Sequence, residues 1–157
     1  MKTLLTLPLI LLSLISFPSW SVTMDDLVER DGIKYKKFSD VPFTGEVEGL
    51  SQGRFKNGEL DGPWVSYYDN GQLHTKGTAK NGKQEGPWVV YHDNGQLWNK
   101  GDYKNGKKEG SWVAYHDNGQ LWFKGAYKNG KKEGSWVAYW SNGHLMYKGD
   151  YKNGKKE

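Results

Sequence analysis

Cysteine is absent from the 157 residues, so no disulfide, no thiolate nucleophile and no lipid-bearing N-terminal cysteine is available. A surplus of one charge is missing too. There are 22 Lys and Arg against 18 Asp and Glu, and the net charge of +4 does not by itself point to nucleic acid. Catalytic constellations are also lacking. Serine and histidine never recur as a pair with an acid, and no glycine-rich phosphate loop leads into a helix. Glutamate recurs only beside turn lysines, a poor place for a general acid. The expectation is a protein that is not an enzyme and that carries neither cofactor nor metal. Mean hydropathy is low at -0.85, yet aromatics reach 15 %, with eight Trp and ten Tyr. That richness argues for a folded chain, because disordered segments are poor in aromatics.

The first 21 residues read differently from the rest. Lys2 supplies a positive start, Leu4 to Phe17 is almost wholly apolar, and Pro18 precedes the small residues Ser19 and Ser21. This is the pattern of a cleaved signal peptide, residues 1–21, and its apolar run is too short for a comfortable membrane span. Export to the periplasm, cell surface or medium is expected.

What dominates the remainder is a turn signal. Asn-Gly pairs begin at Asn57, Asn70, Asn81, Asn94, Asn105, Asn118, Asn129, Asn142 and Asn153. Asn and Gly tolerate the positive φ that both central residues of a type I′ hairpin turn require, so each pair predicts a hairpin. Spacings alternate between about 13 and about 11 residues, which makes two turns and two strands one unit of about 24. Four units follow: Gly62 to Glu85, Gly86 to Glu109, Gly110 to Glu133 and Gly134 to Glu157. The fold class expected is all-β, a twisted ribbon or solenoid of antiparallel hairpins. Residues 22–61 are expected to form an N-terminal cap with a degenerate repeat, including a hairpin around Asp31-Gly32. At Glu157 the pattern either ends on a bare hairpin, its edge protected by Lys152, Lys155 and Lys156, or continues beyond.

Aligning the copies separates constant from variable positions. Constant are Trp64/Trp88/Trp112/Trp136, Val65/Val89/Val113/Val137, Tyr67/Tyr91/Tyr115/Tyr139 and Leu73/Leu97/Leu121/Leu145. These read as framework buried between units, although the Trp stripe also fits an exposed platform. Variable are positions 68/92/116/140 (Tyr, His, His, Trp), 74/98/122/146 (His, Trp, Trp, Met) and 75/99/123/147 (Thr, Asn, Phe, Tyr). Among them Trp98, Trp122, Trp140, Phe123 and Tyr147 are the candidate contact residues. Lys107, Lys108, Lys131 and Lys132 recur on one turn in successive units. Such a rim suits an anionic lipid, a polyanionic envelope polymer or an acidic protein, and equally suits edge protection. His92 and His116, each followed by Asp, are equivalent positions, but a metal site needs three or four oriented ligands.

Gly-x-Trp-x-x-Tyr-x-x-Asn-Gly-x-Leu, followed by Tyr-Lys-Asn-Gly-Lys-x-x-Gly, resembles the MORN-repeat family from about Val41 to Glu157. More narrowly it resembles the bacterial variant proteins named YwqK-family antitoxins, whose entry segment is similar to Val41-Pro42-Phe43-Thr44-Gly45. The resemblance implies β-hairpin ribbons without catalytic residues, used for protein binding or lipid and membrane contact. The antitoxin name implies neutralising a secreted toxin by direct binding. A protein partner is therefore the leading expectation. An envelope glycan or anionic membrane surface is the alternative, and no nucleic acid is expected.

Overall fold

Short runs rich in aromatic and β-branched residues, cut every dozen residues by glycine turns, favour antiparallel pairing of each strand with the next. The computed structural model describes residues 21–157, so the expected signal peptide lies outside the described residues except for Ser21. A 3-10 turn at Met24–Asp26 leads into β1 (Leu27–Arg30) and β2 (Ile33–Lys36), a hairpin closed by Asp31 and Gly32, both at positive φ. A 12-stranded antiparallel sheet follows. It begins with β3 (Gly45–Val47), β4 (Ser51–Lys56), β5 (Glu59–Tyr67) and β6 (Leu73–Lys80). Then come β7 (Lys83–Gln84), β8 (Gly86–Tyr91), β9 (Leu97–Lys104) and β10 (Lys107–Tyr115). It closes with β11 (Leu121–Lys128), β12 (Lys131–Tyr139), β13 (Leu145–Lys152) and β14 (Lys155–Lys156). Strands neighbour one another in chain order, with β7 paired on the end of β6. The all-β repeat meander is what the chain forms.

The turns are of two kinds, which corrects the expectation of a type I′ turn at every Asn-Gly. Asn57, Asn81, Asn105, Asn129 and Asn153 do have positive φ, between 48° and 52°, beside a positive-φ glycine. At Asn70, Asn94, Asn118 and Asn142 only the glycine is left-handed. There the preceding Asp or Ser lengthens the loop: Gly119 N–H donates to His116 O at 2.9 Å and His116 N–H to Gln120 O at 2.8 Å. The asparagine is used through its side chain instead. Asn118 Oδ1 accepts from Gln120 N–H at 3.0 Å, and its Nδ2 donates to Ser141 O of the next unit at 2.7 Å. Asn70 and Asn94 do the same toward Asp93 and Asp117.

Within each unit the strand that starts Gly-x-Trp carries a bulge. Glu109 pairs with Asp102 and Val113 with Lys100, so Gly110, Ser111 and Trp112 together oppose Gly101. The extra residues bend the strand and raise its twist. Gly110 and Gly134 take φ +68° here, a conformation disfavoured for residues with a Cβ. On its other side the same strand pairs continuously from Gly110 to Ala114, with Trp112 opposite Gly125, and the register shifts only between Ala114 and Tyr115.

Two regions supply buried apolar surface. Leu27, Phe43, Val47 and Phe55 form the core of the N-terminal segment, with Val22, Met24, Leu60 and Trp64 against it. Along the repeats, one face of the single-layer sheet carries an aromatic ladder of Trp88, Tyr103, Trp112, Tyr127, Trp136 and Tyr151. Successive rings meet edge to face at centroid separations of 5.0 to 6.3 Å. Each such pair adds about 1 kcal/mol to what burial alone contributes. Trp88 is 8 % exposed and Trp112 and Trp136 2 %, so these three constant tryptophans are core and not platform, while Trp64 is half-buried against the N-terminal segment. Each indole lies on a glycine of the preceding strand, Trp88 on Gly77, Trp112 on Gly101 and Trp136 on Gly125.

Candidate functional site

Side chains alternate across a strand, so Val113, next to Trp112, faces the opposite side of the sheet. Cross-strand register then assembles a row on that side: Val65, Lys76, Val89, Lys100, Val113, Lys124, Val137 and Lys148, each opposite the next. The valines are half-buried and the lysines exposed. The constant valines expected to be framework core therefore lie on the open face. From Pro87 to Lys148 that face forms an open groove of about 1000 Å³, floored by Val89, Val113 and Val137 and closed at one end by Tyr139 and Leu145. Leu145, grouped with the buried framework by sequence, is 56 % exposed there.

The groove is basic. Lys100, Lys124 and Lys148 line it against the single lining carboxylate of Asp102. Midway along, Ala126 stands where Asp102 and Asp150 stand in the flanking units, and Ser111 opposite it is exposed. Among the described residues the ion pairs are Arg30–Asp40 and Lys34–Glu29, both in the N-terminal segment. Every repeat lysine is thus without a carboxylate partner among the described residues.

The predicted contact residues divide between the two faces. Trp98 and Trp122 are 37 % exposed and Trp140 55 %, each a large apolar surface open to solvent. Trp98 and Trp122 lie two residues along their strands from Lys100 and Lys124 and rest against His92 and His116, at 5.6 and 5.7 Å between ring centroids. Phe123 instead stacks on Trp136 at 5.5 Å and 28°, and Tyr147 accepts a hydrogen bond from Lys132 Nζ at 3.0 Å, so both are packed on the ladder side.

The lysines divide likewise. Lys107 and Lys131 are exposed at the turns. Lys108 and Lys132 turn inward, their ammonium groups 4.1 and 4.3 Å from the ring centroids of Trp112 and Trp136. Burial pushes the Lys108 pKa below that of a free lysine. The rim expected from all four is therefore half as dense. Glu85, Glu109 and Glu133 do not merely alternate with it. Their carboxylates accept the backbone N–H of Asn105, Asn129 and Asn153 at 2.7 to 2.8 Å, fixing the next unit's turn.

The histidines have structural work of the same kind. His92 Nε2 lies 3.0 Å from Tyr115 O and His116 Nε2 3.0 Å from Tyr139 O; each ring N–H donates to that carbonyl of the following unit. Tyr68 OH makes the equivalent bond to Tyr91 O at 2.8 Å. No group of three or more His, Asp or Glu suited to a metal is present among the described residues. No helix among them is long and apolar enough to cross a membrane.

Sequence reasoning overlooked Val89, Val113, Val137, Lys100, Lys124 and Lys148, which together make the groove. The signal was there: a valine adjacent in sequence to a buried tryptophan in a strand must point the other way.

No curated protein matches the chain. The MORN repeat variant pattern matches residues 60–81, 84–105, 108–129 and 132–153, more than half of the chain. The four matched stretches are the four hairpin units that build the ladder and the groove, and the chain belongs to the MORN repeat variant family, whose repeats generally serve as binding modules for proteins or membranes.

Proposed function

We propose that this chain is an exported, non-enzymatic scaffold that binds a partner protein through the open face of its repeat sheet. The observation that carries the reading is the groove of about 1000 Å³ from Pro87 to Lys148, apolar at the floor and lined by lysines with no carboxylate partner among the described residues. A buried apolar centre with a charged margin is how protein interfaces combine affinity with orientation. An antitoxin- or immunity-like role, in which a secreted toxin is the partner, is the specific form of this reading.

The test places a photo-crosslinking amino acid at Val113, on the groove floor, and at Lys104, at the turn end of β9, in the native cell. A single protein adduct formed from position 113, absent from 104 and abolished by Lys124→Glu, supports the scaffold. Fractionation of the same cells checks export, and recovery only in the cytoplasm overturns that part.

A second reading is attachment to an envelope glycan or an anionic membrane surface. It is favoured by Trp98, Trp122 and Trp140, exposed large apolar side chains of successive units, with the exposed turn lysines Lys107 and Lys131. Retention on isolated cell wall or anionic vesicles, with no adduct from position 113, replaces the first reading by this one.

A further inference from the structure

We propose that the groove's occupant is an acidic, proline-rich segment of the partner in polyproline II conformation, with a carboxylate at every third residue. This rests on the protein-binding reading above and names the chemistry of the partner.

The argument is one of matching periods. Lys100, Lys124 and Lys148 stand in one cross-strand row, separated by Val113 and Val137. Neighbouring strands are about 4.8 Å apart, so successive lysines repeat every ~9.6 Å across the sheet. A polyproline II helix has three residues per turn and rises about 3.1 Å per residue, so one of its faces repeats every ~9.3 Å. A ligand in the β conformation repeats a face every ~6.7 Å and falls out of step within one unit, while two turns of α-helix span ~10.8 Å and overrun the lysines by ~2.4 Å over two units. Carboxylates at i, i+3 and i+6 of a polyproline II segment span about 18.6 Å. Lys100 and Lys148, four strand steps apart, are separated by about 19 Å.

Three further features fit the same ligand. The valines between the lysines offer shallow apolar contacts for the two non-acidic residues of each turn, which suits the pyrrolidine ring. Tyr139 lines the groove's end, and aromatic-lined grooves are the usual seat of proline-rich segments. The polyproline II backbone makes no internal hydrogen bonds, so its carbonyls remain free. The exposed Ser111, opposite Ala126, has a hydroxyl to donate there. Among the described residues Lys100, Lys124 and Lys148 form no ion pair, which leaves them ready for the ligand's carboxylates.

The experiment measures fluorescence polarisation of labelled nonapeptides with the full-length protein at low and physiological salt. One peptide is three Pro-Pro-Glu triplets; the comparisons are three Pro-Pro-Lys triplets and three Gly-Ser-Glu triplets. The Pro-Pro-Glu peptide is expected to bind saturably, and Lys124→Ala to weaken it about twofold to fivefold, while Lys80→Ala, at the turn end of β6 and outside the groove, leaves it unchanged. The Pro-Pro-Lys peptide is expected not to bind. The Gly-Ser-Glu peptide, with the same charges but a flexible backbone to be ordered, is expected to bind about tenfold more weakly. Equal binding of the two acidic peptides, or insensitivity to Lys124→Ala, overturns the proposal. If no peptide binds while Val113 still crosslinks one protein, the acidic polyproline segment is wrong and the protein-binding reading stands. If both fail, both are wrong.

Discussion

The indole of Trp136 occupies the space in which Gly125 would carry a side chain: a Cβ on Gly125 would lie 2.3 Å from Trp136 Cδ2. Gly125 has no left-handed φ, so the requirement for glycine there is contact alone. Gly125→Ala is therefore expected to destabilise the protein by about 3 kcal/mol, the upper range for overpacking. Gly149→Ala is the control, since its Cβ would meet only the flexible end of Lys156, at 3.0 Å from Cε. Urea midpoints for the two variants are expected to separate clearly. Equal midpoints would remove the indole-on-glycine contact from the list of things that hold the sheet.

Exposure predicts opposite outcomes for two tryptophans fourteen positions apart. Trp136, 2 % exposed, is expected to cost about 4 kcal/mol on replacement by alanine. Trp122, 37 % exposed and leaning on His116, is expected to cost no more than about 1.5 kcal/mol. Circular dichroism and denaturant unfolding check this. Collapse of the fold in Trp122→Ala would withdraw Trp122 from the contact surface.

Glu109 holds the turn of the next unit through the N–H of Asn129. Glu109→Ala leaves that donor without its partner and is expected to cost about 1 kcal/mol. Lys131→Ala, on the same rim but exposed, is expected to fall within about 0.5 kcal/mol of the parent. Amide hydrogen exchange at Asn129 is the local readout, faster in the Glu109 variant and unchanged in the lysine variant.

Stability is expected to respond to alkaline pH through the ladder. Burial raises the pKa of Tyr103 and Tyr127 above the ordinary 10.0. Above that value the unfolded chain loses phenol protons that the folded one keeps, so stability falls as pH rises. Lys108 works the other way. Burial lowers its pKa below 10.5, the unfolded chain holds its proton longer, and stability rises as pH passes from the folded value toward 10.5. Midpoints measured from about pH 8 to about pH 11 are expected to rise and then fall. Tyr127→Phe should flatten the fall and Lys108→Met the rise. A fall of the same steepness in Tyr127→Phe would contradict the assignment.

Much of this architecture can be read from one sequence because the chain repeats itself. Asn-Gly at alternating intervals determined the strands, their order and the unit length, and the constant Trp at one position marked the core. What was misread depended on direction and register. Val113 and Trp112 were grouped as framework because both are constant, yet they point to opposite faces. Lys107 and Lys108 were grouped as rim although one residue of offset sends Lys108 over the Trp112 ring. Phe123 looked variable and so exposed, but alternation along β11 places it with Gly125 and Tyr127 on the ladder side. The three-to-one bulge at Gly110 to Trp112 was not legible, because a bulge exists only relative to the partner strand.

The side-chain bonds that asparagine, histidine and glutamate make from one hairpin pair to the next recur at two fixed distances along the chain. Asn94, Asn118, His92 and His116 each bond a carbonyl 23 residues ahead, and Glu85, Glu109 and Glu133 each take an N–H 20 residues ahead. Such a chain is modular in the way a ladder is: one rung removed leaves rungs that still fit. Excising Gly110 to Glu133 would bring together ends already shaped for one another and shorten the lysine row by one step. The length of ligand such a protein can measure is then set by a count of units, a quantity that gene duplication changes in whole numbers without redesigning a single contact.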